Sequence, residues 1–174
     1  MLLIITSPSG WGKTTLKNAL LEQWWNDTLN FTTREPRSER EKDEYVFVTK
    51  DVFMKKFANW DFLETTEFNW ELYWASKYLP EWNVVTILDP VGRNQIMEKF
   101  ARDGKKVVTV YLNIWEEEQY RRLVERGSSI DEINTRQKDL DWMSPTKFCY
   151  VINWELSREE ILHNVDDILL NLQE

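Results

Sequence analysis

The chain has 174 residues, 30 acidic against 22 basic, for a formal net charge of −8. That acidity argues against a broad footprint on a nucleic-acid polymer, and no apolar run approaches the ~20 residues of a helical membrane span. A lone cysteine, Cys149, excludes an internal disulfide and suits a reducing compartment, and no signal peptide is visible. The expectation is a single cytoplasmic domain of 174 residues.

In chain order, the apolar run Leu2-Leu3-Ile4-Ile5 reads as a buried strand. It leads into Ser7-Pro8-Ser9-Gly10-Trp11-Gly12-Lys13-Thr14-Thr15, which opens a helical segment. Strand, glycine-bearing loop and helix in that order form the setting of a phosphate-binding loop. The glycines let successive N–H groups turn inward, and the positive end of the helix adds to the cradle. Lys13 can reach terminal phosphates and the Thr14 hydroxyl can ligate Mg²⁺. Ser7 stands where the usual pattern begins with glycine. After the loop, Leu16, Ala19, Leu20 and Trp24 recur at helical spacing, which predicts one helix over Lys13–Trp25, ended by Asn26-Asp27.

Leu29–Thr32 predicts a strand, and the charged stretch 33–44 a loop. Tyr45–Val48 predicts a strand, Asp51–Ala58 a helix with Val52, Phe53 and Phe57 inward, and Phe62–Thr66 and Leu72–Ala75 further strands. Residues 33–78 thus form a small mixed α/β insertion. Val84–Leu88 and Val107–Leu112 are near-continuous apolar runs, as expected of parallel strands buried on both faces, with a helix over Gly92–Arg102 between them. Two charged helices, Glu116–Arg126 and Asp131–Leu140, precede a strand at Phe148–Ile152. A last helix carries Ile161, Val165, Ile168, Leu169 and Leu172 on one face. Alternating strands and helices imply a doubly wound parallel sheet with its ligand at the carboxyl ends of the strands. Of the ten tryptophans, Trp24, Trp60, Trp115 and Trp142 fit core positions, whereas Trp11, Trp70 and Trp74 lie in motifs expected to face a ligand.

The loop Ser7–Thr15, Thr32-Thr33-Arg34-Glu35-Pro36-Arg37, Tyr45-Val46-Phe47, Phe62-Leu63-Glu64, Ile87-Leu88-Asp89 and Arg122-Leu123-Val124-Glu125-Arg126-Gly127 follow one another at spacings that resemble those of guanylate kinase. The resemblance implies a P-loop kinase that transfers the γ-phosphoryl of ATP to GMP or dGMP with Mg²⁺. Its core would be 1–32, 79–115 and 143–174, its NMP-binding insertion 33–78 and its helical lid 116–142. It implies that Ser9, Gly10, Trp11, Gly12, Lys13, Thr14 and Thr15 hold ATP, with Asn153 near the adenine. Arg34, Arg37 and Tyr45 would clamp the acceptor monophosphate, a role suited to two planar guanidinium forks in a loop stiffened by Pro36. Arg122 and Arg126, four apart on one helical face, and Arg136 would close over the transferring charge. Glu64 would accept from the guanine edge, which adenine cannot match. Asn30 and Tyr73 would join it in the NMP site, and Asp89 would hold the acceptor or the Mg²⁺ water shell beside Thr14.

Departures from the family pattern cluster at the base. Ala75 stands where a serine donates to the guanine carbonyl, with Ser76 beside it. Trp74 replaces a glycine, Asn30 another serine, and Val91 follows Pro90 where a second aspartate is usual. The segment from Ala75 to Val84 is also short, with Pro80 inside it. The acceptor therefore stays open between guanine and another or modified base. A binding module that lost catalysis is a further alternative, though such modules typically lose the loop lysine or the lid arginines.

Overall fold

The computed structural model describes residues 1–36, 39, 42, 45–59, 61–68, 70–81, 83–138, 150–153 and 157–171. Its centre is β1 (Leu2–Thr6), every residue of which is buried. β1 pairs in parallel with β7 (Val84–Ile87) on one side and β8 (Val107–Asn113) on the other. β2 (Asn26–Asp27) extends the sheet beyond β7 and β9 (Tyr150–Asn153) beyond β8, giving the order β2-β7-β1-β8-β9. Alternation along β1 assigns its two faces. Leu3 and Ile5 pack with Leu16 and Leu20 of α1 (Lys13–Leu21) and with Ile161 and Val165 of α6 (Arg158–Asn171). Leu2 and Ile4 pack with Ile96 and Phe100 of α3 (Pro90–Arg102). Helices thus cover both faces of the parallel sheet. On α6 the expected apolar stripe holds as far as Leu169, and Leu172 lies outside the described residues.

Two expectations fail just after α1. The helix ends at Leu21 instead of Trp25, and Trp24 takes a left-handed backbone with φ 74°. That turn slips the periodicity by one residue, so Trp25 enters the core while Trp24 is 94% exposed. Asn26-Asp27, read as a helix stop, is the edge strand β2. There Asp27 receives a 2.6 Å ion pair from Lys17, a lysine buried on α1. Trp115, also expected inside, is exposed at the head of α4, and Trp60 and Trp142 lie outside the described residues.

A second sheet has the order β4-β3-β6-β5. β5 (Phe62–Phe68) and β6 (Glu71–Ser76) form an antiparallel hairpin, β3 (Asn30–Thr32) pairs antiparallel to β6, and β4 (Val46–Phe47) lies parallel to β3. Because β3 hydrogen-bonds here, this unit starts at Asn30, ahead of the boundary expected at 33. α2 (Lys50–Ala58), capped by Thr49, inserts Phe53 beneath the sheet. Val52 and Phe57, expected inside, are largely exposed, since a nine-residue helix on a small sheet can bury only a narrow stripe. Trp74 is 2% exposed, stacked on Phe31 at 4.6 Å and edge-on to Phe53 at 4.9 Å. Gln95 of α3 joins the unit to the main fold: its side-chain amide bonds both the N–H (3.2 Å) and the C=O (3.0 Å) of Thr65 on the edge strand.

The charged segments after β8 are α4 (Glu116–Glu125) and α5 (Ile130–Lys138). They are joined through Gly127, whose φ of 78° suits a helix stop, and through Ser129, which with Glu132 forms a reciprocal cap.

Candidate active site

The phosphate loop connects β1 to α1, and Gly10 (φ 87°) and Gly12 (φ 89°) adopt the left-handed turns expected of it. Lys13 Nζ donates to Ser7 O at 2.7 Å and Pro8 O at 2.8 Å, folding back across the loop. Ser7 Oγ and Thr6 Oγ1 are buried with no hydrogen-bond partner among the described residues. Thr14 and Thr15 begin α1 on its open side. Trp11 does not face the cleft. Its ring packs edge-on against Tyr111 at 5.5 Å and beside Ile114, so only its backbone is placed to serve a ligand. Gln119, wholly buried on α4, donates to Ser9 O at 2.8 Å and ties the loop to the helix behind it. Asn153 ends β9 at the same edge of the sheet, where its Oδ1 accepts from Asn113.

On α4, Arg122 Nε donates to Glu118 Oε1 at 2.7 Å, and Arg121 also binds Glu118 and Glu125. The two guanidiniums hold the Glu118 carboxyl down to about 2. Arg126 caps α4 and is exposed. Arg136 lies on α5, and its side chain is outside what is described.

Strand register explains the grouping around Glu64. Asn30, Ala75 and Glu64 stand opposite one another across β3, β6 and β5, and Thr32, Tyr73 and Thr66 form the next row. Alternation puts both rows on one face and Trp74 on the other. Trp74 is therefore core, not pocket wall. Glu64, 5% exposed, accepts from Ala75 N–H at 2.9 Å through Oε1, and its Oε2 lies 3.3 Å from Thr66 Oγ1. Burial, and then the charge of Asp89, push the Glu64 carboxyl up from 4.5 to about 7. Asp89 caps α3 by accepting from Gly92 N–H at 2.8 Å, and its Oδ1 lies 3.4 Å from Thr66 Oγ1. Gly92 permits this closeness, because a Cβ there would sit 2.6 Å from Glu64 Oε2. Asn30 Oδ1 accepts from Thr28, whose hydroxyl also meets Thr86 at 2.8 Å. Trp70, expected to face a ligand, is 84% exposed on the hairpin turn.

Farther along the same face, the Arg34 guanidinium lies 6.0 Å from the Tyr45 ring and 5.9 Å from the Phe47 ring, and Tyr45 meets Tyr73 edge-on at 6.4 Å. Arg34, Tyr45 and Tyr73 are thus brought together; Arg37 lies outside the described residues. Thr66, Gln95 and Gln119 escaped the sequence reading. Of these, only Thr66 carried a signal, its position two residues from Glu64 on a predicted strand.

The chain matches the family model described as guanylate kinase over residues 1–172. It is 31% identical to a guanylate kinase of Chlamydia felis, with 94% of this chain and 86% of that protein covered. With a guanylate kinase of Clostridium perfringens it shares 32% identity over 98% and 82% of the two chains. The fold is that of the guanylate kinase crystal structure from Anaplasma phagocytophilum, with a TM-score of 0.76 at 23% identity, covering 99% of this chain and 86% of that one. By sequence over nearly its whole length, and by fold, the chain belongs to the guanylate kinase family.

Proposed function

We propose that this protein is a guanylate kinase, transferring the γ-phosphoryl of ATP to GMP or dGMP. The observation that carries the reading is a buried carboxylate, Glu64, linked through the Thr66 hydroxyl to Asp89, which follows the strand beside that of the phosphate loop. β1 and β7 are adjacent and parallel, so the loop after β1 and Asp89 after β7 leave the sheet side by side. Phosphoryl transfer asks for such positioning plus charge neutralisation, without a covalent intermediate.

Ser9, Gly10, Trp11, Gly12, Lys13, Thr14 and Thr15 cradle the ATP phosphates, Trp11 through its backbone, and Asn153 lies toward the adenine. The unpartnered hydroxyls of Ser7 and Thr6 at the base of the loop suit an anionic ligand. Arg34 and Tyr45, with Arg37, clamp the acceptor phosphate, while Glu64, Asn30, Tyr73 and the Ala75 backbone line the base side. Arg122, Arg126 and Arg136 stabilise the migrating charge from the lid. The Thr14 hydroxyl and a carboxylate oxygen of Asp89 are the hard donors Mg²⁺ prefers, and the ion would neutralise phosphate charge there. Asp89 already spends Oδ1 on the helix cap, which leaves Oδ2 for a water of that shell. The two sheets and the α4–α5 pair support a division into core, insertion and lid, the insertion taken to begin at Asn30. Among the described residues no helix is long and apolar enough to cross a membrane.

The test is turnover of ATP with each nucleoside monophosphate, quantifying the diphosphate formed. GMP and dGMP should be the best acceptors. Robust turnover of another base with none on guanine overturns the assignment.

A further inference from the structure

We propose that the Thr66 hydroxyl is a specificity-determining group of the acceptor site, reading the exocyclic 2-amino group of guanine alongside Glu64. The inference rests on the guanylate kinase reading and adds a residue to it.

Thr66 lies two residues from Glu64 on β5, on the same face, opposite Tyr73. Its Oγ1 is 3.3 Å from Glu64 Oε2 and 3.4 Å from Asp89 Oδ1. One hydroxyl proton cannot satisfy two carboxylates. Both separations are long for O–H···O contacts, so neither partner is strongly bound. Among the described residues the other donors to these carboxylates are backbone N–H groups, from Ala75 to Glu64 Oε1 and from Gly92 to Asp89 Oδ1. Three oxygens, Glu64 Oε2, Thr66 Oγ1 and Asp89 Oδ1, therefore converge on one hydroxyl proton. The cluster is rich in acceptors and short of donors.

A complementary ligand edge presents several N–H groups in a row. Guanine offers N1–H and two N2–H protons on one edge, hypoxanthine offers only N1–H, and adenine alternates donor and acceptor. When Thr66 gives its proton to Asp89, its lone pairs stand next to Glu64 Oε2. The pair then forms a two-oxygen acceptor for adjacent N–H groups, with the second oxygen matched to the 2-amino group. Thr66 also compensates for part of what Ala75 cannot do, since it enforces guanine through the amino group instead of through the carbonyl.

The experiment compares kcat/KM for GMP and IMP in the wild type, Thr66→Val and Thr66→Ser. Where IMP turns over too slowly, its inhibition constant against GMP replaces kcat/KM. Thr66→Val keeps the shape and removes the hydroxyl. It should lower the GMP value about five- to tenfold, the scale of one lost hydrogen bond, and leave IMP within about twofold. Thr66→Ser should restore most of the GMP preference. Equal losses for GMP and IMP would mean that Thr66 merely holds Glu64 in place, and would overturn the inference, as would no change for either. A wild type inactive on both nucleotides overturns the guanylate kinase reading itself, and this inference with it.

Discussion

The phosphate loop and Asp89 leave the main sheet from neighbouring strands, β1 and β7, yet the loop and the Glu64–Asp89 cluster stand in opposite electrostatic conditions. In the loop, Lys13 is folded onto two carbonyls of its own segment, Ser7 O and Pro8 O, at ordinary hydrogen-bond lengths. In the pocket, Glu64 is buried beside Asp89 with one shared hydroxyl, and its carboxyl is pushed to about 7. The loop's cation is held by the loop's own carbonyls, whereas the buried Glu64 carboxyl faces a second carboxyl, Asp89. Specificity therefore comes at the expense of stability in the pocket and not in the loop. A site that must discriminate by hydrogen bonds keeps buried polar groups whose partners arrive with the substrate.

Substitutions can break that contrast. The largest effect on turnover is expected from Lys13→Ala, a loss of about 10³-fold or more in kcat, because preorganised charge is usually the largest catalytic contribution. Thermal unfolding should change little, since the bonds of Lys13 to Ser7 O and Pro8 O lie within the loop and not in the hydrophobic core. Wild-type-like turnover in this variant would remove the loop from the mechanism. Arg126→Ala should follow, with kcat down about 10²-fold and the KM of GMP nearly unchanged, as expected of a contact made mainly with transferring charge. The Arg126 side chain is exposed at the end of α4, so the melting temperature of the variant should match the wild type. A kcat defect accompanied by a lowered melting point would show a structural role instead.

Glu64→Gln sharpens the comparison most directly, because activity and stability should move in opposite directions. The GMP kcat/KM should fall about 10- to 100-fold, from roughly 1–3 kcal/mol of mismatched polar pairing. Stability should rise at pH 8. Glu64 titrates near 4.5 when unfolded and near 7 when folded, so the folded state holds the proton more tightly. That contribution is fully present below about pH 4.5, fades as pH rises toward 7 and is gone above it. Glutamine cannot ionise, so the melting temperature of the variant should gain on the wild type from pH 5 to pH 8. A constant difference across that range would mean that Glu64 is not perturbed. In the wild type, the GMP kcat/KM should also rise through about pH 7 as the carboxylate forms, a step that Glu64→Gln should lack.

Lys17→Ala is the control, with the smallest effect on turnover. It breaks the ion pair between the buried Lys17 and the partly exposed Asp27 and should cost ~2 kcal/mol of stability, below the range for fully buried pairs. At this chain length that lowers the melting temperature by about 6 °C. KM values measured well below that temperature should stay within about twofold of wild type.

Much of this molecule is legible along the chain. The phosphate loop is nine contiguous residues whose glycines, lysine and threonines act through their own backbone, so no distant contact is needed to recognise it. The apolar runs of β1, β7 and β8 announce parallel strands because both of their faces are buried. Glu64, Arg34 and Asp89 stand out because charged residues flank or interrupt apolar strands. Packing between distant segments decided the rest. The pairing of β3, β6 and β5 put Trp74 into the small core and Ala75 beside Glu64, a matter of register to which local composition is blind. The turn at Trp24 sent Trp25 inward in its place. Trp11 faces Tyr111 instead of the cleft because β8 supplies an apolar wall a hundred residues away in sequence. Thr66 gained its place only when α3 set Asp89 and Gly92 against β5, which brings the Thr66 hydroxyl within hydrogen-bond range of both Glu64 and Asp89.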